Sequence, residues 1–271
     1  MYDPRIFNDW RRARTRYLAC RSRRPYSCRR MALAAHPEKE VVWKKLESKT
    51  TPPRHVHEPV CMTIFADREE AGRELGKRLA LYCGKDAVVL ALPRGGVVLG
   101  YEVARALQVP LDIIVPRKIG HPSNPEYAIG AVDEKGTRIL NESEAKMVDA
   151  KWLEEETARQ KAEAERRVKR YRGSKKALSL KGKTVILVDD GIATGLTMQL
   201  AVRRAAAESA ARIIVAVPVA PPEPLEMLAE EGAEIVVLEP PEDFLSAVGA
   251  HYLHFEQVSD EEVVRLLQGW Y

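Results

Sequence analysis

The sequence predicts an α/β fold with a doubly wound, mostly parallel sheet of about five core strands. Three observations predict it. Short apolar runs rich in β-branched residues alternate along the chain with segments of helical periodicity. The runs show no polar alternation, which is typical of strands buried on both faces of a parallel sheet. Glycine, proline and small residues follow several of the runs, where a strand must turn into a helix.

The composition indicates a globular protein with a basic N-terminal segment. The chain has 271 residues, of which 45% are apolar and 30% charged, which is normal for one large or two small domains. Residues 1–31 hold ten Arg, no Lys and two Asp, a formal charge of +8; since the whole chain carries +4, the rest carries −4. The basic character therefore belongs to the N-terminal segment.

Residues 1–61 are predicted to be a disordered extension, because they are rich in Arg and Pro and show no sustained apolar period. An arm that binds nucleic acid and an organelle transit peptide are two explanations. We favour a third, in which Met62 is the true start and the extension is not part of the native protein. Residues 62–271 then form the domain. Four cysteines without C-x-x-C spacing favour a reducing cytoplasm, and no apolar run is long enough to span a membrane.

The first predicted elements are a helix, a strand and a second helix. Asp67 begins the first helix, which runs to Cys83, and has capping-box spacing to Glu70. The apolar run from residue 87 to residue 92 predicts the first core strand. It leads into Pro93, Arg94, Gly95 and Gly96 and a helix to about residue 107. The guanidinium and the glycine pair suit an anion, although a plain strand-to-helix turn explains the motif equally well.

The next strand, residues 111–115, ends in Pro116, Arg117 and Lys118. Two adjacent cations at the carboxyl end of a strand predict an electropositive patch beside the preceding loop. A solvated basic turn is the alternative.

A polar stretch from Ile119 to Glu126 has the composition of a flexible lid, and its His121 is either a proton donor or an ordinary loop residue. Two short strands, 127–132 and 137–140, predict a β-hairpin. Asn141 is then expected to cap a long charged helix from Glu142 to Arg172. The charges of that helix indicate a solvated face, and its thin apolar thread leaves a dimer arm open.

The most informative stretch runs from Lys183 to Thr197. An apolar strand ends in Asp189 and Asp190, and a loop of Gly, Ala and Thr leads into a helix. Backbone N–H groups of such a loop and the helix dipole suit a phosphate. The acidic pair suits vicinal hydroxyls, or a metal ion that holds them. Phosphate and diol together describe a ribose 5-phosphate; an ordinary strand–turn–helix is the alternative.

The rest of the chain continues the alternation of helices (196–209, 222–231) and strands (212–217, 234–238). The C-terminal piece from Pro240 differs, because it holds most of the late aromatic residues. Three of its side chains either line a pocket by stacking or pack the terminus onto the sheet: Phe244, Val248 and Tyr252. Ser259 is expected to cap a terminal helix, with Glu262 completing a capping box.

The stretch V-I-L-V-D-D-G-I-A-T-G-L-T resembles the PRPP-binding signature of the type I phosphoribosyltransferases. The resemblance extends from Met62 to about Gln268. P-R-G-G, P-R-K-I-G, N-P-E-Y-A-I-G-A-V and D-F-x-x-V-G look like a bacterial and archaeal group of phosphoribosyltransferase-domain proteins whose acceptor is uncharacterised.

The resemblance implies a Mg²⁺-dependent pentosyltransferase that moves the 5-phosphoribosyl group of PRPP to a nitrogenous base and releases pyrophosphate. It implies a flexible loop over PRPP at residues 119–126 and a small C-terminal hood with the acceptor pocket at Phe244, Val248 and Tyr252. The catalytic residues implied are Asp189, Asp190 and Lys118, and the two aspartates are also the implied metal ligands. The residues implied to bind PRPP are Arg94, Gly95, Gly96, Arg117, Gly191, Ile192, Ala193, Thr194, Gly195, Leu196 and Thr197.

Two rival functions remain open. A non-catalytic regulatory protein could sense PRPP or a nucleotide with the same pocket. A nucleic-acid-binding protein could use the Arg-rich extension. The favoured hypothesis expects small-molecule substrates and a homodimer, and neither a specific nucleic acid nor a membrane as partner.

Overall fold

The structure, a computed structural model, describes residues 64–239 and 244–270. Its main sheet has five parallel strands in the order β2-β1-β6-β7-β8. These strands are β1 Ala87–Ala91, β2 Leu111–Ile113, β6 Thr184–Val188, β7 Arg212–Val217 and β8 Glu234–Val237. A second, antiparallel sheet contains β3 Arg117–His121, β4 Asn124–Val132 and β5 Arg138–Leu140. The α/β class predicted from the alternating pattern is confirmed.

The helices cover both faces of the main sheet. They are α1 Arg68–Arg78, α2 Gly95–Leu107, α3 Glu142–Ala145, α4 Ala150–Arg172, α5 Leu196–Ala207, α6 Pro222–Glu230 and α7 Asp260–Gln268. Short 3₁₀ helices span Ala80–Tyr82 and Val248–His251. Within β6, Ile186 and Val188 pack with α1, α2 and α7, whereas Val185 and Leu187 pack with α5 and α6. The apolar run of β6 is therefore buried on both sides, as a central strand of a doubly wound sheet requires. No helix in the described ranges is long and apolar enough to cross a membrane.

Two helix starts agree with their capping signals. Asp67 accepts a hydrogen bond from the N–H of Glu70 at 2.7 Å, and Ser259 accepts one from the N–H of Glu262 at 3.1 Å. The first helix ends earlier than expected, at Arg78, and a 3₁₀ turn takes the chain on to Tyr82.

The long charged helix is interrupted, so the prediction of one helix from Glu142 to Arg172 is wrong. Asn141 caps only the four-residue α3. Asp149 then accepts a hydrogen bond from the N–H of Trp152 at 2.8 Å and begins α4. A second N-cap inside a run of charged residues has no strong sequence signal. The apolar thread expected here consists of Met147, Leu153, Val168 and Tyr171. Leu153 and Tyr171 are buried, Val168 is partly buried and Met147 is exposed.

The segment predicted as an irregular lid is largely paired. Residues 117–121 and 124–132 form an antiparallel hairpin whose tip is Pro122–Ser123, with register shifts around Gly120. A Cβ at Gly120 would lie 2.3 Å from the carbonyl oxygen of Pro125, so only glycine allows the strands to approach there. The prolines indicated a loop, but cross-strand pairing of this edge hairpin prevails. The predicted extension, residues 1–61, lies outside the described residues.

Candidate functional site

The site forms where two loops meet at the carboxyl edge of the main sheet. β1 and β6 are neighbours and pair Ala91 with Val188, so the loops that follow them lie side by side. A cavity of about 290 Å³ opens between them. Its lining residues are Leu92, Pro93, Arg94, Gly95, Pro116, Lys118, Asp189, Asp190, Gly191, Ile192, Ala193, Thr194, Gly195, Thr197 and Val248.

The loop after β6 presents a row of backbone donors. Ile192 anchors it, because its side chain is buried and its N–H donates to the carbonyl of Val219 at 3.0 Å. Gly195 has a φ of 81° and begins α5. The N–H groups of residues 193–198 donate to no acceptor within the described part of the chain. Unsatisfied N–H groups at a helix start, together with the helix dipole, form an anion site.

Both aspartates of the acidic pair line the cavity. Asp189 Oδ1 accepts a hydrogen bond from the N–H of Asp190 at 2.8 Å, which holds the first carboxylate in place. Burial raises the pKa of Asp189, and the charge of Asp190 raises it further. Burial also raises the pKa of Asp190, and Arg68 opposes that rise.

Arg68 is a functional residue that the sequence analysis missed. Its Nε donates to Asp190 Oδ2 at 2.8 Å, and the two side chains are 12% and 17% exposed. It lies in the first turn of α1, where a charged residue after an N-cap indicates a solvated helix face. The two residues are 122 positions apart in the chain, so no local pattern in the sequence indicated this contact.

The glycine pair after β1 makes room for the acidic pair. A Cβ at Gly95 would lie 1.9 Å from Asp190 Oδ2, and one at Gly96 would lie 2.9 Å from Asp189 Oδ1. Both glycines have negative φ, so lack of space rather than backbone conformation requires glycine here. Arg94 precedes them after a cis peptide bond, and its Nη1 lies 3.9 Å from Asp260 Oδ1.

The two adjacent cations after β2, Arg117 and Lys118, are the first residues of β3, and their side chains lie in different places. Lys118 lines the cavity. Arg117 is not among the lining residues, and its Nε donates to Gln160 Oε1 of α4 at 3.1 Å. Successive side chains of a strand point to opposite faces, so Arg117 and Lys118 leave the strand on opposite sides. Burial, and then the nearby Arg167, lowers the pKa of Arg117.

The three C-terminal side chains occupy different places. Val248 lines the cavity. Tyr252 is buried, and its hydroxyl donates to the carbonyl oxygen of Asp190 at 2.6 Å. Phe244 stacks on His251 with 5.4 Å between ring centroids. His121 lies outside the cavity lining and accepts a hydrogen bond from the N–H of Ser123 at 3.1 Å.

The donor set fits Mg²⁺ bound together with a substrate. The described residues contain no group of three or more His, Cys, Asp or Glu side chains that could hold a metal ion by themselves. Mg²⁺ is commonly bound by one or two carboxylates while substrate oxygens and water complete the shell. Asp189 and Asp190 offer carboxylate oxygens beside the cavity.

The chain is similar to known proteins over most of its length. The sequence model of the family described as "Phosphoribosyl transferase domain" matches residues 67–251. The chain is 43% identical over 208 residues to the "Putative phosphoribosyl transferase" of Mycobacterium tuberculosis strain H37Rv. That alignment covers 76% of this chain and 47% of the relative, so the chain spans about half the length of the curated relatives it matches.

A solved structure is similar across the same region. The crystal structure of the protein TT1426 from Thermus thermophilus is 46% identical in sequence and superposes with a TM-score of 0.66. The match covers 76% of this chain and 99% of that one.

Proposed function

The chain belongs to the phosphoribosyl transferase domain family, and from this premise we propose that it transfers the 5-phosphoribosyl group of PRPP to a nitrogen acceptor, a nucleobase, with release of pyrophosphate. One observation supports the proposal above the others. Four residues with free N–H groups, Ala193, Thr194, Gly195 and Thr197, line one cavity together with two aspartates and two cations. PRPP has the matching groups: a terminal phosphate, a vicinal diol and a pyrophosphate.

The loop of residues 191–197 holds the 5′-phosphate. Its N–H groups and the hydroxyls of Thr194 and Thr197 donate to the phosphate oxygens, and the dipole of α5 adds to the attraction. The carboxylates of Asp189 and Asp190 accept hydrogen bonds from the ribose hydroxyls. Mg²⁺, when bound there, would place positive charge beside the hydroxyls and the pyrophosphate.

Arg94, Lys118 and the N–H groups of the glycine loop hold the pyrophosphate. The acceptor nitrogen forms a bond to ribose C1 while the bond from C1 to the pyrophosphate oxygen breaks, and the bonding electrons leave with that oxygen. The two carboxylates stabilise positive charge on the ring, and the two cations neutralise the leaving group. No side chain forms a covalent bond, so positioning and electrostatics provide the acceleration.

Val248 is an apolar residue of the C-terminal piece that lines the cavity, and it is our candidate for contact with the acceptor. Tyr252 supports the site through the hydrogen bond that its hydroxyl donates to the carbonyl oxygen of Asp190. We place Lys118 rather than Arg117 on the pyrophosphate, because only Lys118 lines the cavity.

Calorimetry with PRPP and Mg²⁺ tests the site directly. Replacing both aspartates, Asp189→Asn together with Asp190→Asn, removes two charged acceptors, and we expect PRPP affinity to fall at least about tenfold. Unchanged affinity would show that the two aspartates do not bind the ribose hydroxyls of PRPP.

Pyrophosphate release with a panel of nucleobases tests turnover. We expect release with at least one base. If PRPP binds and no base in a broad panel gives release, the protein is a PRPP sensor instead of a transferase.

A further inference from the structure

Arg68 joins three parts of the molecule through one guanidinium. Its Nε donates to the carboxylate of Asp190 at 2.8 Å, and its Nη1 donates to the carbonyl of Glu256 at 2.7 Å. Its guanidinium carbon lies 3.8 Å from the centre of the Phe255 ring. Two donors and one face of the group are therefore engaged at the same time.

We propose that Arg68 is a positioning residue of the site, which fixes the Asp190 carboxylate and fastens the C-terminal segment, residues 252–256, against it. The inference rests on the proposed function, because it assigns Arg68 a part in PRPP binding. Arg68 itself is not among the residues that line the cavity, so it acts through Asp190 and through the segment.

The C-terminal segment is attached to Asp190 twice. Arg68 bridges the Asp190 carboxylate to Phe255 and Glu256, and the Tyr252 hydroxyl donates to the Asp190 carbonyl at 2.6 Å. Phe255 also stacks on Tyr252 with 4.9 Å between ring centroids. The side chain and the backbone of one acidic residue are thus held by the same stretch of chain.

The attachment reaches the cavity wall. A Cβ at Gly249 would lie 2.8 Å from Cδ1 of Phe255, so the 3₁₀ helix that begins at Val248 rests on that ring. On its other side, Val248 packs on Gly191, where a Cβ would lie 2.5 Å from Val248 Cγ1. Arg68 supports Phe255, Phe255 supports the 3₁₀ helix, and the helix places Val248 in the cavity.

Only arginine satisfies this geometry. A planar guanidinium can donate from two nitrogens in fixed directions while its face lies on an aromatic ring. A lysine ammonium retains the charge near Asp190 but cannot bond both oxygen atoms and stack at once. A methionine of similar length keeps the apolar packing on Phe255 and loses both hydrogen bonds.

The experiment compares full-length variants by calorimetry with PRPP and Mg²⁺. We expect Arg68→Met to raise the dissociation constant about tenfold, because Asp190 loses its ionic partner in a half-buried site. Arg68→Lys should recover part of the loss. Arg73→Met is the matched control: it lies on the same helix, its side chain is 47% exposed, and it forms a surface ion pair with Glu69 at 3.6 Å, so its affinity should equal the wild type.

A double-mutant cycle separates positioning from mere stabilisation of the fold. Because Arg68 acts partly through Asp190, adding Arg68→Met to Asp190→Asn should weaken PRPP binding less than Arg68→Met weakens it in the wild type. Wild-type affinity in both Arg68 variants, or fully additive losses in the cycle, would overturn the proposal. If Arg68→Met does not fold, Arg68→Lys with Asp190→Asn completes the same cycle.

A ligand-free measurement distinguishes failure of this inference from failure of the proposed function. If the wild type does not bind PRPP, the proposed function fails. The amide chemical shifts of the ligand-free protein then test whether Arg68 positions Asp190 and the C-terminal segment. Arg68→Lys should then shift amides of residues 189–191 and 248–256, which Arg73→Met leaves unchanged. Shifts confined to α1 would refute the role of Arg68.

Discussion

At the scale of single residues, the site depends on close packing between its two loops. Gly95 and Gly96 lie directly against the carboxylates of Asp190 and Asp189. The acidic pair therefore stays at the cavity only while the neighbouring loop carries no side chain there. Burial raises the pKa of both acids, and the Arg68 guanidinium offsets that effect at Asp190.

Replacement of Gly95 by alanine should disable the site. The new Cβ would lie 1.9 Å from Asp190 Oδ2 and 2.8 Å from Arg68 Nε, so the ion pair must shift. Overpacking of this kind costs about 1–3 kcal/mol, and we expect the PRPP dissociation constant, measured by calorimetry, to rise about tenfold or more.

Gly269→Ala is the control for that substitution. Gly269 has a φ of −72°, and its nearest neighbour to a new Cβ is 4.0 Å away. Affinity should therefore remain at the wild-type value. Equal affinity of both alanine variants would show that the acidic pair does not need its present position.

At the scale of elements, the sequence predicted most of what depends on local pattern. The core strands and the helices after β1, β6 and β7 follow from apolar periodicity and appear within a few residues of their expected bounds. The β3–β4 hairpin was missed because its pairing depends on contacts across the turn. Recognition of β3 would have separated Arg117 from Lys118 by strand alternation alone.

Helix α4 carries an acid-sensitive ion network. Glu163 accepts two hydrogen bonds from Arg166, at 2.7 and 3.0 Å, and one from Arg167 at 2.7 Å. The hydrogen bond from Arg166, the largest of these effects, and those involving Arg167 lower the pKa of Glu163 from 4.5 to about 2. The folded state therefore prefers the ionised form more strongly than the unfolded state does.

Glu163→Gln should lower stability at neutral pH and have less effect in acid. A depressed pKa contributes stability above the unfolded value of 4.5, and this contribution disappears as pH falls towards about 2. Urea unfolding from pH 7 to pH 2 measures the difference between variant and wild type. A difference that stays constant across that range would contradict the assignment, and Arg166→Gln should reproduce the pH dependence in part.

At the scale of the whole molecule, the site is assembled from distant parts of the chain. The backbone of Phe65 donates to His251 at 2.9 Å and accepts from Leu253 at 2.8 Å, which brings the C-terminal segment to the start of the domain. Arg68 lies three residues after Phe65, at the start of α1, and from there its side chain reaches Asp190. The phosphate loop could be predicted from one continuous stretch, whereas this long-range contact required the fold.

The elements and the cavity lining that the structure describes lie outside the basic extension. The five strands of the main sheet, both helix layers and the described residues that line the cavity come from residues 64–239 and 244–270. A chain that begins at Met62 should therefore keep the thermal unfolding temperature and the PRPP affinity of the full-length protein. Differential scanning calorimetry and titration with PRPP and Mg²⁺ measure both.

The same truncation tests the nucleic-acid alternative, because it removes all ten Arg of residues 1–31 and leaves a chain of negative formal charge. If the full-length chain binds duplex DNA, the affinity should fall steeply with salt, and the truncated chain should not bind at low salt. A matched full-length variant with those ten Arg changed to Gln distinguishes charge from length and should behave like the truncated chain. DNA binding that persists after truncation would assign it to the domain, and loss of PRPP affinity would show that the extension belongs to the functional protein.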